Sequence, residues 1–322
     1  MPIKVFLTEP IQAEAQALLA KNVELDIGHD NLSTDEVLGR VAEVDVIFSK
    51  TDPIRIDQAV IDAAPNLMLI ARHGSGYSNV AMEYATEKGI FVTNTPGVNA
   101  ITMAEYTIGI MFAAARNIVP AASACHGGAP NRLSFLGQEL YGKTFGIVGV
   151  GQIGRQVVMR ADALGMKVLA YHPRPSARNL TDLPLDLVDL DQLLDESDVI
   201  SLHMPYSDET RNLIGAPELR RMKKSAILLN LSRGGVVDEK ALYKSLKNES
   251  IFAAATDVLA NEPVHADEPL LQLKNCLVLP HIAAVTREAQ KSVAMTAVED
   301  ILRFSRGELL HHLVNLTELE NR

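Results

Sequence analysis

The stretch TFGIVGVGQIGRQVVMR, residues 144–160, decides the fold. Its apolar run from Phe145 to Val150 has the length of one buried strand. A G-x-G-x-x-G follows at once: Gly149-Val150-Gly151-Gln152-Ile153-Gly154. Behind it Ile153, Val157, Val158, Ala161 and Leu164 recur at helical spacing, and Gly165 is a natural stop. In such a strand–turn–helix setting the first glycine permits the tight turn. The second lets backbone approach a pyrophosphate, and the third lets helix pack on strand. Unpaired N–H groups at the helix start would then face an anion. Flavin and S-adenosylmethionine proteins use similar turns, but the full setting points to a nicotinamide dinucleotide.

Working outward, the same unit supplies six strand candidates: Phe145–Gly149, Lys167–Tyr171, Val199–His203, Ala226–Asn230, Phe252–Thr256 and Leu277–Leu279. A chemically distinctive group follows nearly every one. The glycine turn follows the first, Tyr171-His172-Pro173-Arg174 the second and His203-Met204-Pro205 the third. Leu231-Ser232-Arg233-Gly234-Gly235 follows the fourth, Asp257 ends the fifth and Pro280-His281 ends the sixth. Ligands of doubly wound sheets bind outside the carboxyl ends of the strands, so these residues are expected on one rim.

Residues 1–99 alternate short apolar runs (Ile3–Leu7, Val23–Ile27, Val44–Phe48, Leu67–Ala71, Ile90–Val92) with helical patterns near 10–20, 33–42, 56–64 and 79–88. That alternation predicts another parallel sheet. Ala100 to Ile118 reads as one long apolar helix limited by Pro120, and 123–143 as an irregular surface arm suited to subunit contact. An amphipathic helix over about 286–306 is expected to return to the first domain. The expected architecture is α/β with two doubly wound parallel-sheet domains. A Rossmann-type cofactor domain, 100–284, is inserted in a flavodoxin-like substrate domain, 1–99 plus 285–322.

The length of 322 residues fits two domains, and 47% apolar content is ample for two cores. A net charge of −10 argues against nucleic acid as a main partner. Cys125 and Cys276 lack C-x-x-C spacing and cannot make a disulfide framework, which suggests a reducing compartment, hence the cytoplasm. The opening MPIKVFLTEP reads as a first strand and not as a signal peptide, and no apolar stretch is long enough to span a membrane. No H-E-x-x-H or Cys/His cluster suggests a metal.

Three ionisable residues on the rim match the demands of hydride transfer to a 2-oxo acid: Arg233, Glu262 and His281. A guanidinium pairs with a carboxylate through two parallel hydrogen bonds. An imidazole has a pKa near working pH and can protonate a carbonyl oxygen. A neighbouring carboxylate keeps that imidazole protonated and oriented. Taken singly, each has a plain alternative: a surface ion pair, a turn residue before Pro263, a helix cap. Gly234 and Gly235 would let backbone pass close to a ligand. In the first domain, Arg72-His73-Gly74-Ser75-Gly76 follows a strand, and the Ser75 and Gly76 backbone could hold a substrate carboxylate. His203, His126 and His265 read as structural or exposed. His311-His312 lacks a spaced carboxylate and reads as surface.

The segments GIVGVGQIGR (146–155), HMPYSDETRNLIG (203–215), MKKSAILLNLSRGGVVDEKAL (222–242), ATDVLANEP (255–263) and LPHIAAVTREA (279–289) resemble the D-isomer-specific 2-hydroxyacid dehydrogenase family. The resemblance spans nearly the whole chain. It implies that Arg233 binds the substrate carboxylate and carbonyl, that Glu262 supports the histidine, and that His281 is the acid/base. It also implies a cleft between two domains, a homodimer, a small 2-oxo or 2-hydroxy acid as substrate, and a substrate loop at GSGYSN (74–79). Substrate-binding candidates are thus Ser75, Gly76, Arg233 and His281. Cofactor-binding candidates are Gly149, Gly151, Gln152, Ile153, Gly154, His172, Arg174, Met204, Pro205, Leu231, Ser232, Asp257 and Ala283. Many members carry Asp where this chain has His172. Losing that acid and gaining Arg174, with Arg178 nearby, suits a 2′-phosphate, so NADP is preferred here to NAD. The other reading is a dinucleotide-sensing, corepressor-like binding protein of the same fold. A methyltransferase would not explain the positions of Arg233, Glu262 and His281.

Overall fold

A computed structural model describes residues 2–30, 32–50, 54–128, 131–173 and 180–315. The chain divides into two compact units, residues 1–99 with 285–322 and residues 100–284.

In the first unit five parallel strands are ordered β2-β1-β3-β4-β5: β1 (Lys4–Leu7), β2 (Glu24–Ile27), β3 (Val46–Ser49), β4 (Leu69–Arg72) and β5 (Phe91–Thr93). This is the flavodoxin-like order. The inner strands are buried along their length because helices cover both faces. Side chains alternate between those faces. Phe6, Ile47, Ile70 and Val92 pack with Val37, Val60, Ile61 and Ala85 on one. Val5, Leu7, Phe48 and Leu69 pack with Ala15, Leu19, Ala294, Val298 and Ile301 on the other. The first group belongs with α2 (Thr34–Leu38), α3 (Gln58–Asp62) and α4 (Met82–Glu87). The second brings α1 (Ala13–Ala20) against α11 (Arg287–Ser305), which therefore belongs to this unit although it lies far along the chain. Beyond α11 the tail is pinned. Buried Asp300 accepts the His311 amide at 2.8 Å and pairs with His312 Nδ1 at 2.8 Å. The expectation that these histidines lack a carboxylate partner is corrected for His312. The acid lies twelve residues back, and a turn after the helix brings it into reach.

The second unit is a seven-stranded parallel sheet of order β12-β11-β10-β9-β6-β7-β8. Its strands are β6 (Thr144–Val148), β7 (Lys167–Tyr171), β8 (Asp186–Leu187), β9 (Val199–Leu202), β10 (Ile227–Asn230), β11 (Ala253–Thr256) and β12 (Cys276–Val278). Counted from β6, the order 3-2-1-4-5-6 of a dinucleotide-binding sheet is present with a seventh strand added. Six strands are expected from sequence; the extra one, β8, is two exposed residues with no periodicity to betray it. Helices α5 (Ala100–Ala115), α6 (Ile118–Cys125), α7 (Gln152–Ala163), α8 (Leu190–Glu196), α9 (Ala216–Arg221) and α10 (Glu239–Lys247) complete the unit. Phe145 at the sheet centre is 0% exposed, and burial of such a side chain contributes roughly 1.5–3 kcal/mol.

The expected helix from 100 to 118 is two helices. Asn117 takes a left-handed φ of 52° and breaks the first after Ala115. Pro120 does not end a helix; it lies in the first turn of α6, where a backbone N–H has no helical partner to lose. The stretch read as irregular from 123 thus begins as helix through Cys125 and later holds a 3₁₀ turn at Arg132–Phe135. No single helix among the described residues is long and apolar enough to cross a membrane.

Candidate active site

The glycine turn meets each of its three demands. Gly149 has φ +98°, and a Cβ there would lie 2.7 Å from Met204 Sδ and 2.8 Å from the His203 carbonyl. The turn therefore touches the end of β9, which places Met204 and Pro205 beside it. A Cβ on Gly154 would lie 2.6 Å from the Gly149 carbonyl, so α7 packs closely on its own turn. A Cβ on Gly151 meets nothing within 4 Å. Gly151 is also the N-cap of α7 and makes no side-chain cap, so the first N–H groups of a twelve-residue helix face that space. An open, uncapped, positively polarised helix start is a cradle for a pyrophosphate, and these residues fit a dinucleotide. Gln152 and Ile153 are the first residues of that helix. Gly151→Ala is accordingly expected to leave the melting temperature within about 2 °C, since no protein atom is displaced. Dinucleotide Kd is expected to rise roughly 10–100-fold, measured by titration of the reduced cofactor's fluorescence.

His172 follows β7 and is half-buried; Arg174 and Arg178 lie outside the described residues. After β10, Leu231 is buried, and Asn230 Oδ1 accepts bonds from the Ser232 amide and hydroxyl at 3.3 and 2.9 Å. This ties the loop carrying Arg233 to its strand. The two glycines behind Arg233 do not open onto ligand space as expected. A Cβ on Gly234 would collide with the Leu259 carbonyl, and one on Gly235 would lie 2.9 Å from the Tyr206 ring. Gly234 instead lets the Arg233 loop press against the loop that bears Glu262.

That second loop is held at two amides. Glu262 Oε1 accepts the Leu259 N–H at 3.0 Å, and Glu239 Oε1 accepts the Ala260 N–H at 2.7 Å. The remaining oxygen of Glu262 accepts His281 Nδ1–H at 2.7 Å. The two side chains are 30% and 39% exposed, so the pair is reachable from solvent. The Glu262 hydrogen bond is the largest influence on the imidazole and raises its pKa above the usual 6.5. Burial opposes it, the Glu262 and Asp257 charges add to it, and Arg233 opposes it. For Glu262, burial alone would push the carboxyl up. The His281 bond and charge, the Leu259 amide and Arg233 outweigh burial and hold it below its usual value. Both shifts favour imidazolium beside carboxylate, with a guanidinium close enough to act on each.

Asp257 is buried and its oxygens are engaged within the protein. Oδ1 accepts the Ile282 N–H at 3.0 Å, and Oδ2 accepts the Ala283 N–H at 2.7 Å. Oδ1 also accepts the Tyr106 hydroxyl at 3.0 Å. Tyr106 and Glu239 were not legible as site residues. Each acts through another loop, and neither sits at a strand end.

Ser75 and Gly76 belong to the other unit. Arg72, buried at the end of β4, donates to the Gly76 carbonyl at 3.1 Å, and the Ser75 hydroxyl donates to the Thr95 carbonyl at 3.1 Å. These bonds fix the loop's backbone. Burial, then Lys50 and Arg72, push His73 down to about 4, so it is neutral near pH 7 and offers no charge to an anion. His203, half-buried and 2.9 Å from the Ser201 hydroxyl, is likewise pushed down to about 4, by desolvation of its ring.

A dinucleotide-type sheet with a carboxylate–imidazole pair and an arginine on neighbouring strand-end loops defines a class of oxidoreductase site. The description "D-isomer specific 2-hydroxyacid dehydrogenase, NAD binding domain" matches residues 108–283. The chain is 41% identical over 322 residues to a glyoxylate reductase of Korarchaeum cryptofilum, covering 98% of this chain and 96% of that protein. It is 42% identical over 321 residues to a D-3-phosphoglycerate dehydrogenase of Archaeoglobus fulgidus, covering 99% of this chain but only 60% of that protein's length. The crystal structure of the TT0316 protein from Thermus thermophilus superimposes with a TM-score of 0.89 at 35% identity, covering 97% of this chain and all of that one. The chain belongs to the D-isomer specific 2-hydroxyacid dehydrogenase family.

Proposed function

We propose that the protein is an NAD(P)-dependent oxidoreductase that reduces a small 2-oxo acid to the D-2-hydroxy acid. The observation that carries this reading is the 2.7 Å bond from His281 Nδ1 to Glu262, with Arg233 near enough to influence both. In it, residues 100–284 form the dinucleotide-binding domain, and 1–99 with 285–322 form the substrate domain.

Arg233 grips the substrate carboxylate and polarises the adjacent carbonyl. Glu262 fixes the tautomer with hydrogen on Nδ1, which leaves Nε2–H of the imidazolium as the proton given to the carbonyl oxygen. Nicotinamide, when bound, supplies the hydride to C2. Gly149, Gly151, Gln152, Ile153 and Gly154 would hold the dinucleotide at its pyrophosphate. Met204, Pro205, Leu231 and Ser232 would border it, and Ala283 belongs to the turn that Asp257 holds. In this reading His172 and Arg174, the latter outside the described residues, are the candidates to meet the adenosine ribose, and Ser75 and Gly76 the candidates to meet the substrate. His172 in place of an acid, followed by Arg174, favours NADP. A second copy of the chain covers the arm, where Leu133, Leu136 and Tyr141 are exposed, together with the start of α6, where Ile118 and Val119 are exposed. Cys125 and Cys276 are free thiols, and the reading places the chain in the reducing cytoplasm.

The test is the loss of reduced-cofactor absorbance by purified protein with a panel of 2-oxo acids that includes glyoxylate and hydroxypyruvate. Turnover with at least one acid is expected, with kcat/KM about ten-fold or more higher for NADPH than NADH. His172→Asp is expected to reverse that ratio. A protein that merely senses dinucleotide would bind it and leave its absorbance unchanged.

A further inference from the structure

We propose that Tyr106 is a positioning residue for the proton donor: its hydroxyl completes the bonding of Asp257, and Asp257 holds the backbone immediately after His281. This rests on the reading of His281 as the acid.

His281 has φ +55°, in the left-handed region that side chains with a Cβ rarely occupy. Such a conformation persists only where its surroundings over-determine it. The turn is held at the next two residues, because the Ile282 and Ala283 amides both donate to Asp257. Asp257 is 1% exposed, and a buried carboxylate is costly unless its lone pairs are filled. Two amides leave capacity unused, and the Tyr106 hydroxyl takes up the second site on Oδ1 at 3.0 Å. Tyr106 comes from α5, so the bond ties the His281 turn to a helix that carries none of the catalytic groups. The hydroxyl cannot easily become an anion. Burial first, then the charge and hydrogen bond of Asp257, push its pKa above the usual tyrosine value, and it remains a donor. The ring packs against the core of this unit, so removing only the oxygen leaves the packing in place.

The consequence follows through named bonds. Without the hydroxyl, Asp257 holds the two amides less firmly, and the left-handed turn can relax. The imidazole then loses its aim at Glu262. Glu262 and Asp257 face the imidazole as negative charges and Arg233 as a positive one, so a looser pair titrates at lower pH.

The experiment compares wild type, Tyr106→Phe and a control, Tyr84→Phe. The control removes a tyrosine–carboxylate bond to Asp62 in the other unit. Three quantities are read: amide hydrogen exchange at Ile282 and Ala283, the NMR titration of the His281 imidazole, and kcat with dinucleotide Kd. Tyr106→Phe is expected to speed exchange at both amides roughly ten-fold, lower the imidazole midpoint, and cut kcat roughly ten-fold. Dinucleotide Kd should rise by less than kcat falls, because the glycine turn is untouched, and Tyr84→Phe should change none of these. Unaltered exchange and titration in folded Tyr106→Phe would overturn the proposal. So would wild-type Ile282 and Ala283 amides that exchange at the rate of free peptide, a result that needs no variant. Exchange and titration need no turnover. If wild type reduced no 2-oxo acid, the dehydrogenase reading would fall while these two still decided the role of Tyr106.

Discussion

His281→Ala is expected to lower kcat for 2-oxo acid reduction by about 10²–10⁴-fold, the usual contribution of a positioned general acid. Dinucleotide Kd should change by less than about three-fold. The separation is physical. The imidazole is held by Glu262, whereas the glycine turn depends on its own backbone, on β9 and on the start of α7. A variant that retained turnover within a few-fold would remove His281 from the chemistry and leave the pair with Glu262 as a surface contact. Equal losses in turnover and dinucleotide affinity would point instead to a collapsed loop.

Arg233→Lys should be nearly as damaging in kcat/KM, roughly 10²-fold, with most of the loss in substrate KM. The charge survives, but the fork does not. Arg233 already donates from Nη1 to the Ser232 carbonyl at 2.7 Å, so its guanidinium is oriented by its own loop before any ligand arrives. An ammonium on a flexible stem cannot keep that bond and present two parallel donors to a carboxylate. A kcat/KM within three-fold of wild type would show that a point charge is enough, and that carboxylate recognition lies elsewhere.

Much of this site was readable from residues alone, for a specific reason. In a doubly wound sheet, function gathers where strands end, and strand ends are marked by short apolar runs that stop at Gly149, Arg233, Asp257 and His281. The pairing of His281 with Glu262 needed only residue chemistry and that rim. What escaped has equally specific causes. Tyr106 lies inside an apolar helix, where periodicity reads an aromatic residue as core. The third partner of Asp257 is 151 residues away, and the two amides that it receives carry no side-chain signature. Strand β8 is too short for any alternation to show. The helix break at Asn117 turns on a single backbone conformation, and Pro120 misdirects because proline ends a helix in one position and opens it in another. His312 and Asp300 pair across a turn whose geometry spacing does not reveal.

The central claim is that the Glu262 carboxylate keeps the His281 imidazole charged for proton donation. The pH dependence of kcat/KM for 2-oxo acid reduction, in wild type and in Glu262→Gln, tests it most directly. The donor must be imidazolium, so kcat/KM should hold below the raised pKa and fall as pH climbs through it, above 6.5 in wild type. Glu262→Gln removes the largest raising influence while burial still lowers the pKa, so the fall should move to lower pH. A falling limb at the same pH in both proteins, or no falling limb in wild type, would contradict the claim.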